Sequence, residues 1–164
     1  MADSGPPGMN VSARYVATQA GPLDMPRLFS DFHRVAGEAG ALVVFSGVCR
    51  GEHGRLTALE LEHYPGMAEG EIGRIVDATR TRWPLTAVWV VHRHGLIRAG
   101  EPIVLVAAAA EHRQDAFAAA EHLMDFMKTS APFWKREHLV DGTIGGWVAP
   151  RGSDDAATAR WGAA

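Results

Sequence analysis

Most of the side chains that could support chemistry lie in one segment of the chain, residues 111–137. The informative strings there are, in order, Glu111-His112-Arg113, Met127-Lys128 and Ala131-Pro132-Phe133-Trp134-Lys135-Arg136-Glu137. Pro132 has no backbone N–H and disfavours helical geometry in the residue before it, so a helix that carries Lys128 is predicted to end near Thr129. Two amines, two guanidinium groups and an imidazole brought together would suit an anionic substrate and acyl chemistry.

Each of these cations also has an ordinary structural interpretation. A lysine near a helix C-terminus complements the helix dipole, so Lys128 alone does not indicate a function. His112 and Arg113 follow an apolar strand, where they could simply begin a solvated helix. They could instead bind a phosphate at the helix N-terminus, where free N–H groups favour an anion. Arg50 ends another apolar strand and could point to the same place.

Length and composition describe an ordinary globular domain. The chain has 164 residues, of which 47% are hydrophobic and 21% charged, enough to bury a substantial core. A net charge of -3 argues against a general nucleic-acid binder, which would carry a broad basic surface. No signal-like N-terminal segment is visible, and no apolar run approaches the roughly 20 residues of a membrane span. We therefore expect a cytoplasmic protein with no nucleic-acid or membrane partner.

The sequence gives little support for a metal or a reactive thiol. Cys49 is the only cysteine, which excludes an internal disulfide and any multi-cysteine metal site. Beside Arg50 it could be an activated thiol, or it could be a small core residue of an apolar strand. The histidines lack the paired helical spacing of a zinc site. We expect no metal and no cofactor.

Periodicity and chain breakers predict an α+β domain with a mixed or antiparallel sheet. Phe29 and Phe117 are expected to lie on the apolar faces of their helices. The predicted helices cover 24–39, 67–83 and 113–128, and the predicted strands cover 11–18, 41–50, 56–64, 86–92, 103–110, 133–139 and 146–149. Residues 1–10 are predicted to be a disordered extension, residues 11–151 the folded domain, and residues 152–164 a C-terminal tail.

Five blocks of sequence are more informative together than singly. They are Phe45-Ser46-Gly47-Val48-Cys49-Arg50, Leu61-Glu62-His63-Tyr64-Pro65-Gly66-Met67, Val91-His92-Arg93-His94-Gly95, Glu111-His112-Arg113, and Met127-Lys128 with the 131–137 string. In this order they resemble the large, catalytic subunit of molybdopterin synthase, from about Val11 to Trp161. The resemblance implies an α/β-hammerhead fold with an additional small antiparallel β-sheet.

The resemblance also implies a function in molybdenum-cofactor synthesis. A small ubiquitin-like carrier subunit would bring sulfur as a thiocarboxylate on its C-terminal Gly-Gly tail. Two sulfurs would pass in succession to cyclic pyranopterin monophosphate, which makes the enzyme a sulfurtransferase that produces molybdopterin. Two large subunits are expected to form a homodimer, and one carrier at each end would complete a heterotetramer.

By position, the resemblance identifies two catalytic lysines, Lys128 and Lys135. The substrate-binding positions that it identifies are Val48, Cys49, Arg50, His112, Arg113, Arg136, Glu137 and, reaching the neighbouring subunit, Arg151. We expect the phosphate and the pterin to bind Arg50, His112 and Arg113. Lys128 would act at the carbon under attack or at the acyl terminus of the carrier, and Lys135 would stabilise charge and transfer protons. The family more often has a non-thiol residue at position 49, so the thiol is not expected to be required.

Two other functions fit parts of this pattern. A homolog could dock the ubiquitin-like carrier without catalysis, and loss of a catalytic lysine would indicate that case. A phosphate-ester hydrolase would need a clear general base or metal carboxylates near the cations, and Glu111 and Glu137 support that poorly. Both lysines are present, which favours the synthase.

Overall fold

The helices and strands follow one another in the order that the sequence predicts, except that one short strand is added and the predicted last strand is missing. The computed structural model describes residues 12–149 and 159–162. Its elements are β1 Arg14–Gln19, α1 Met25–Ala36, β2 Ala41–Val48, a 3-10 turn at Glu52–Gly54, β3 Leu56–Glu62, α2 Met67–Arg82, β4 Leu85–Arg93, β5 Gly95–Arg98, β6 Pro102–Ala110, α3 Arg113–Thr129 and β7 Trp134–Leu139.

The larger sheet has four strands in the order β1-β4-β6-β2 and forms the centre of the core. β1 pairs with β4 in parallel, whereas β6 pairs antiparallel with both β4 and β2. Side chains alternate between the two faces of this sheet, so that Trp89 and Val91 contact α1, and Val88 and Val90 contact α2 and α3. Helices on both faces explain why β4 and β6 are apolar almost throughout.

The smaller sheet is antiparallel, has the order β5-β3-β7, and is apolar on one face only. Leu61 and Ile97 are buried on the core side. On the other side, β3 and β7 place Glu60 opposite Arg136 and Glu62 opposite Trp134. Charged side chains therefore cover this face of the small sheet, within reach of one another.

The α+β class and the small antiparallel sheet are confirmed, and most helix boundaries agree with the sequence. The carboxylate of Asp24 accepts a hydrogen bond from the Arg27 N–H at 3.0 Å and caps α1, as the sequence predicts. The helix ends at Ala36, before the predicted boundary, because Gly37 takes a φ of 60°.

Three structural predictions were wrong. Phe29 and Phe117 are 49% and 62% exposed rather than buried. The predicted strand at 146–149 is reduced to an isolated bridge between Lys135 and Val148. β5, Gly95–Arg98, was not predicted, because four residues that begin with a glycine carry too little periodicity to distinguish a strand from a loop.

The domain boundaries stay predictions, since residues 1–10 and most of the tail lie outside the described residues. Residues 159–162, within the predicted tail, nevertheless pack on α2 and α3. The Trp161 ring lies 5.6 Å from that of Trp83 and 5.3 Å from that of His122, and its indole N–H donates to Asp125 at 2.7 Å. In the two described stretches, no helix is both long and apolar enough to cross a membrane.

Candidate active site

The N-terminus of α3 presents His112 and Arg113 to solvent. His112 is the N-cap residue, with extended backbone geometry, and its side chain caps nothing. The first N–H groups of α3 therefore stay available for an anion, beside two side chains that can be cationic. A cavity at this end is lined by Gly40, Glu111, His112, Arg113 and Gln114. A side chain at position 40 would collide with the carbonyl oxygen of Glu111, so glycine is required for this close approach.

The C-terminus of α3 places Lys128 at the surface. The helix ends at Thr129, as the sequence predicts, and the Ser130 N–H donates to the Phe126 carbonyl at 2.8 Å. The chain then turns through Pro132, with Ala131 and Phe133 buried on either side. This turn is anchored by apolar packing, and it leaves the Lys128 amine exposed at the end of the helix.

On the other side of the turn, β7 carries Lys135, Arg136 and Glu137. The backbone of Lys135 exchanges two hydrogen bonds with Val148, at 3.0 and 2.8 Å, so a returning segment runs beside the strand. Lys135 itself is exposed. A second cavity here is lined by Lys135, Arg136, Glu137, Gly145, Gly146 and Val148.

Arg136 and Glu137 are both held by ion pairs. Glu137 accepts two hydrogen bonds from Arg55, at 2.9 and 3.3 Å, and these lower the pKa of its carboxyl group. Arg136 donates through Nε to Glu60 at 2.7 Å. The two side chains leave β7 on opposite faces, since neighbouring residues of a strand alternate.

At the end of β2 the three predicted substrate contacts have different surroundings. Val48 is half-exposed and Arg50 is 84% exposed, with its guanidinium 3.3 Å from the Glu52 carboxylate. The Cys49 side chain is buried, and burial raises the pKa of its thiol. A substrate contact by the thiol is therefore not supported, and Cys49 fits the core interpretation that the sequence left open.

One chain does not bring all the predicted residues to one place. Arg113 and Lys128 lie fifteen residues apart on the same helix, which at 1.5 Å per residue separates them by about 22 Å. The single cluster of cations that the sequence suggested is therefore divided into two groups, one at each end of α3. Arg50 does not point to the same place as His112, because Val48 pairs with Pro102 and only Ala41, at the other end of β2, pairs with Ala110. Arg151 lies outside the described residues.

A cluster of aromatic and imidazole rings, which sequence reasoning did not identify, joins the two sheets. His92 stacks on Phe133 with ring centroids 4.0 Å apart, and His63 lies 4.5 Å from His94. Burial lowers the pKa of His92 to about 4, so this imidazole is neutral near pH 7. In residues 12–149 and 159–162 no three His, Cys, Asp or Glu side chains are placed to hold a metal ion.

The two lysines stand out in the composition once their positions are known. Of the sixteen Lys and Arg residues in the chain, only Lys128 and Lys135 are lysines. Arginine stays protonated at all physiological pH values, whereas an amine can also lose its proton and act as a nucleophile or proton donor. The two lysines flank the same turn.

Fold and site together define an α+β protein with exposed cations suited to an anionic substrate. The sequence model of the MoaE protein family matches residues 18–130. The molybdopterin synthase catalytic subunit of Brucella melitensis is 59% identical over 124 residues, which is 76% of each protein. The solved structure of the molybdopterin biosynthesis MoaE protein from Burkholderia ambifaria, 41% identical, superposes with a TM-score of 0.80 and covers 92% of this chain and 99% of that one.

The chain belongs to the MoaE family, the catalytic subunits of molybdopterin synthase. A more distant structure is also similar, a complex of subunits 1 and 2 of molybdopterin-converting factor from Helicobacter pylori. It has a TM-score of 0.68 at 18% identity, over 87% of this chain and 92% of that one, and shares the fold.

Proposed function

We propose that this chain is a sulfurtransferase, moving two sulfurs from a thiocarboxylated carrier subunit to cyclic pyranopterin monophosphate to make molybdopterin. The observation that carries this proposal is the placement of Lys128 and Lys135, the only lysines of the chain, in exposed positions on either side of one turn. Family membership supplies the reaction, and the two amines supply side chains that can take part in it.

The N-terminus of α3 is the best position for the phosphate of the substrate. His112 and Arg113 are exposed there beside uncapped backbone N–H groups, and the helix dipole favours an anion at this end. Arg113 can give two parallel hydrogen bonds to phosphate oxygens. Arg50 lies at the opposite end of the β2–β6 pair from His112, so it would contribute a further cation to this phosphate only from another subunit.

The separation along α3 has a consequence for the assembly. A phosphate at Arg113 lies about 22 Å from Lys128 of the same chain, farther than a compact small-molecule substrate can reach. We therefore propose that the active site combines the Lys128 end of one subunit with the His112–Arg113 end of another. A homodimer of this chain, with one carrier subunit at each end, would provide two such sites. Arg151 would act at the same subunit boundary.

The lysines would act on the acyl group that carries the sulfur. Sulfur transfer passes through a tetrahedral intermediate with a developing oxyanion, which a fixed cation stabilises best where water is excluded. We assign Lys128 to the carbon under attack or to the acyl terminus of the carrier, and Lys135 to charge stabilisation and proton transfer. Arg136 and Glu137, both held by ion pairs, would line the substrate cavity on β7.

The carrier would be a separate small protein, with its thiocarboxylate on a C-terminal Gly-Gly tail. The two-subunit composition of the Helicobacter pylori complex supports a small partner of this kind. We place the reaction in the cytoplasm. The reaction as proposed needs no metal or cofactor, because sulfur and substrate both arrive from outside the chain.

The direct test mixes the purified chain with a thiocarboxylated carrier and cyclic pyranopterin monophosphate. Molybdopterin is measured after oxidation to its fluorescent derivative. We expect product with the native chain and none above background with Lys128→Ala. Arg74→Ala is the matched control, because it removes a cation from the surface of α2 and lines neither cavity described above.

The outcomes separate the proposal from its rival. Product with the native chain and its loss in Lys128→Ala would support the synthase and the site. A stable complex with the carrier but no product would favour the non-catalytic docking module. If no complex with the carrier forms either, membership of the family does not predict the function of this chain.

A further inference from the structure

Arg136 is held in one orientation by a carboxylate from the neighbouring strand. The Oε2 atom of Glu60 accepts a hydrogen bond from Nε of Arg136 at 2.7 Å and another from Nε2 of His138 at 2.8 Å. Glu60 and Arg136 are direct cross-strand partners in the β3–β7 register, so the pairing is built into the sheet.

A second contact fixes the plane of the guanidinium group. Its central carbon lies 4.4 Å from the centre of the Trp147 ring, within the range of a cation–π interaction. With Nε used by Glu60 and the face covered by Trp147, the freedom that remains to the side chain is small. The Arg136, Glu60 and His138 side chains are 31%, 26% and 21% exposed, so water competes for these contacts only in part.

The rest of the guanidinium group is left for a ligand. No described residue accepts a hydrogen bond from Nη1 or Nη2 of Arg136, although the side chain borders two cavities. One of these cavities is also lined by Lys135 and Glu137. The other is lined by His94, Trp147 and the carboxylates of Glu60 and Glu62, so the cavity with Lys135 suits an anion better. Two parallel N–H groups with a fixed plane are the arrangement that binds a carboxylate, thiocarboxylate or phosphate with two hydrogen bonds.

We infer that Glu60 is a positioning residue, which aims the free edge of Arg136 at an anionic group of the substrate. This rests on the proposed function for the identity of the anion. Glu60 does not touch the ligand itself. Its carboxylate orders the cation beforehand, so that less conformational entropy is lost when the anion binds. His138 shares the same oxygen and restrains Glu60 in turn.

The test replaces Glu60 by Gln, which keeps the shape and removes the charge. Binding of cyclic pyranopterin monophosphate is measured by titration of the native chain and the variant. We expect the dissociation constant and the half-saturating substrate concentration to rise about fivefold, the scale of one weakened charge-assisted hydrogen bond. The rate at saturation should stay within about twofold. The matched control is Glu71→Gln, which breaks an Arg–Glu pair on α2, of 2.8 Å, away from both cavities.

An NMR measurement on the protein without ligand tests this inference independently of the proposed function. In the native chain the Nε–H of Arg136 should give a resolved, slowly exchanging NMR signal, and Glu60→Gln should lower its protection while Glu71→Gln leaves it intact. If the native chain binds no pyranopterin, the proposed function fails and the NMR signal alone decides the positioning. An Arg136 signal that stays protected in Glu60→Gln, or a dissociation constant equal to that of the native chain, would overturn the inference.

Discussion

The two sheets of this protein are both built from hydrogen-bonded strands, but they differ in what covers their faces. The β1-β4-β6-β2 sheet is covered by helices on both faces, and its central strands carry almost nothing that can ionise. The β5-β3-β7 sheet buries one face and exposes the other, where Glu60, Arg136 and His138 form a network. Helices bury the two central strands of the first sheet, whereas the second sheet keeps one face open for charged side chains.

This comparison explains where the predicted site residues lie. The larger sheet contributes only its strand ends, at Arg50 and at Glu111, where the chain leaves the apolar core. The smaller sheet contributes Lys135, Arg136 and Glu137 from the middle of a strand. Arg136 lies on the solvent face of the sheet, whereas Lys135 and Glu137 lie on the other face and reach solvent because β7 is an edge strand.

The largest effect is expected from the core of the larger sheet. Trp89 is fully buried, packs against Phe32 with ring centroids 5.4 Å apart, and donates its indole N–H to the Ser12 carbonyl at 2.8 Å. Trp89→Ala should lower the free energy of unfolding by about 3–5 kcal/mol, because it removes the buried ring and leaves a cavity. Denaturant titration measures this change.

The matched substitution in the smaller sheet is Trp134→Ala. Trp134 is 43% exposed, so its removal opens no enclosed cavity and should cost about 1 kcal/mol or less. Equal losses at the two positions would contradict the assignment of stability to the larger sheet.

The second prediction is that the free energy of unfolding depends on pH. The group responsible lies where the two sheets meet, at His92 of β4, which stacks on Phe133. Burial lowers the pKa of His92 from 6.5 to about 4, so the unfolded chain takes up this proton at higher pH than the folded chain. Stability should therefore fall as the pH drops from 6.5 towards 4, by up to about 3 kcal/mol from this group. Unfolding curves at several pH values measure the change.

His92→Phe is the control for this prediction, because it keeps a flat ring on Phe133 and cannot be protonated. The pH dependence of the variant should be shallower than that of the native chain over the same range. His94 and His122, whose pKa values are also lowered by burial, would keep part of the slope. Parallel curves for variant and native chain would contradict a buried neutral His92.

The third prediction tests whether the exposed residues of the site supply chemistry or only charge. Lys128→Arg and Lys135→Arg keep the cation and remove the amine that can release a proton. Each should reduce molybdopterin formation about 100-fold, within the range of a lost acid–base contribution, and change the free energy of unfolding by about 0.5 kcal/mol or less. Arg98→Lys, at an exposed position of β5, is the reverse control. Full activity in both lysine variants would mean that Lys128 and Lys135 contribute only their positive charge.

Much of the fold could be predicted from the sequence because its signals are local. Asp24 and Pro26 mark the start of α1, and Pro132 marks the end of α3. Phe29 and Phe117 show the limit of this reasoning. An apolar residue at the edge of a helical stripe is buried only if another element covers it, and none of the described elements covers these two.

The site was predictable in its residues but not in its geometry. The sequence blocks identified Lys128, Lys135, His112 and Arg113, and their catalytic roles stay predictions. Their separation could have been calculated, because fifteen helical residues span about 22 Å wherever the helix lies. The contacts of Glu60 and Trp147 with Arg136 could not have been predicted from the sequence, since they depend on the β3–β7 register and on the path of a loop.

Because the chain has only two lysines, cleavage by a lysine-specific protease can report whether the surface around them is covered. A protease that cleaves only after lysine can cut at two bonds, one on each side of the turn at Ser130–Phe133, and would release the short segment 129–135. Protection of those bonds reports what covers the turn. A single mass measurement could therefore follow occupancy of this surface, with no label and no engineered residue.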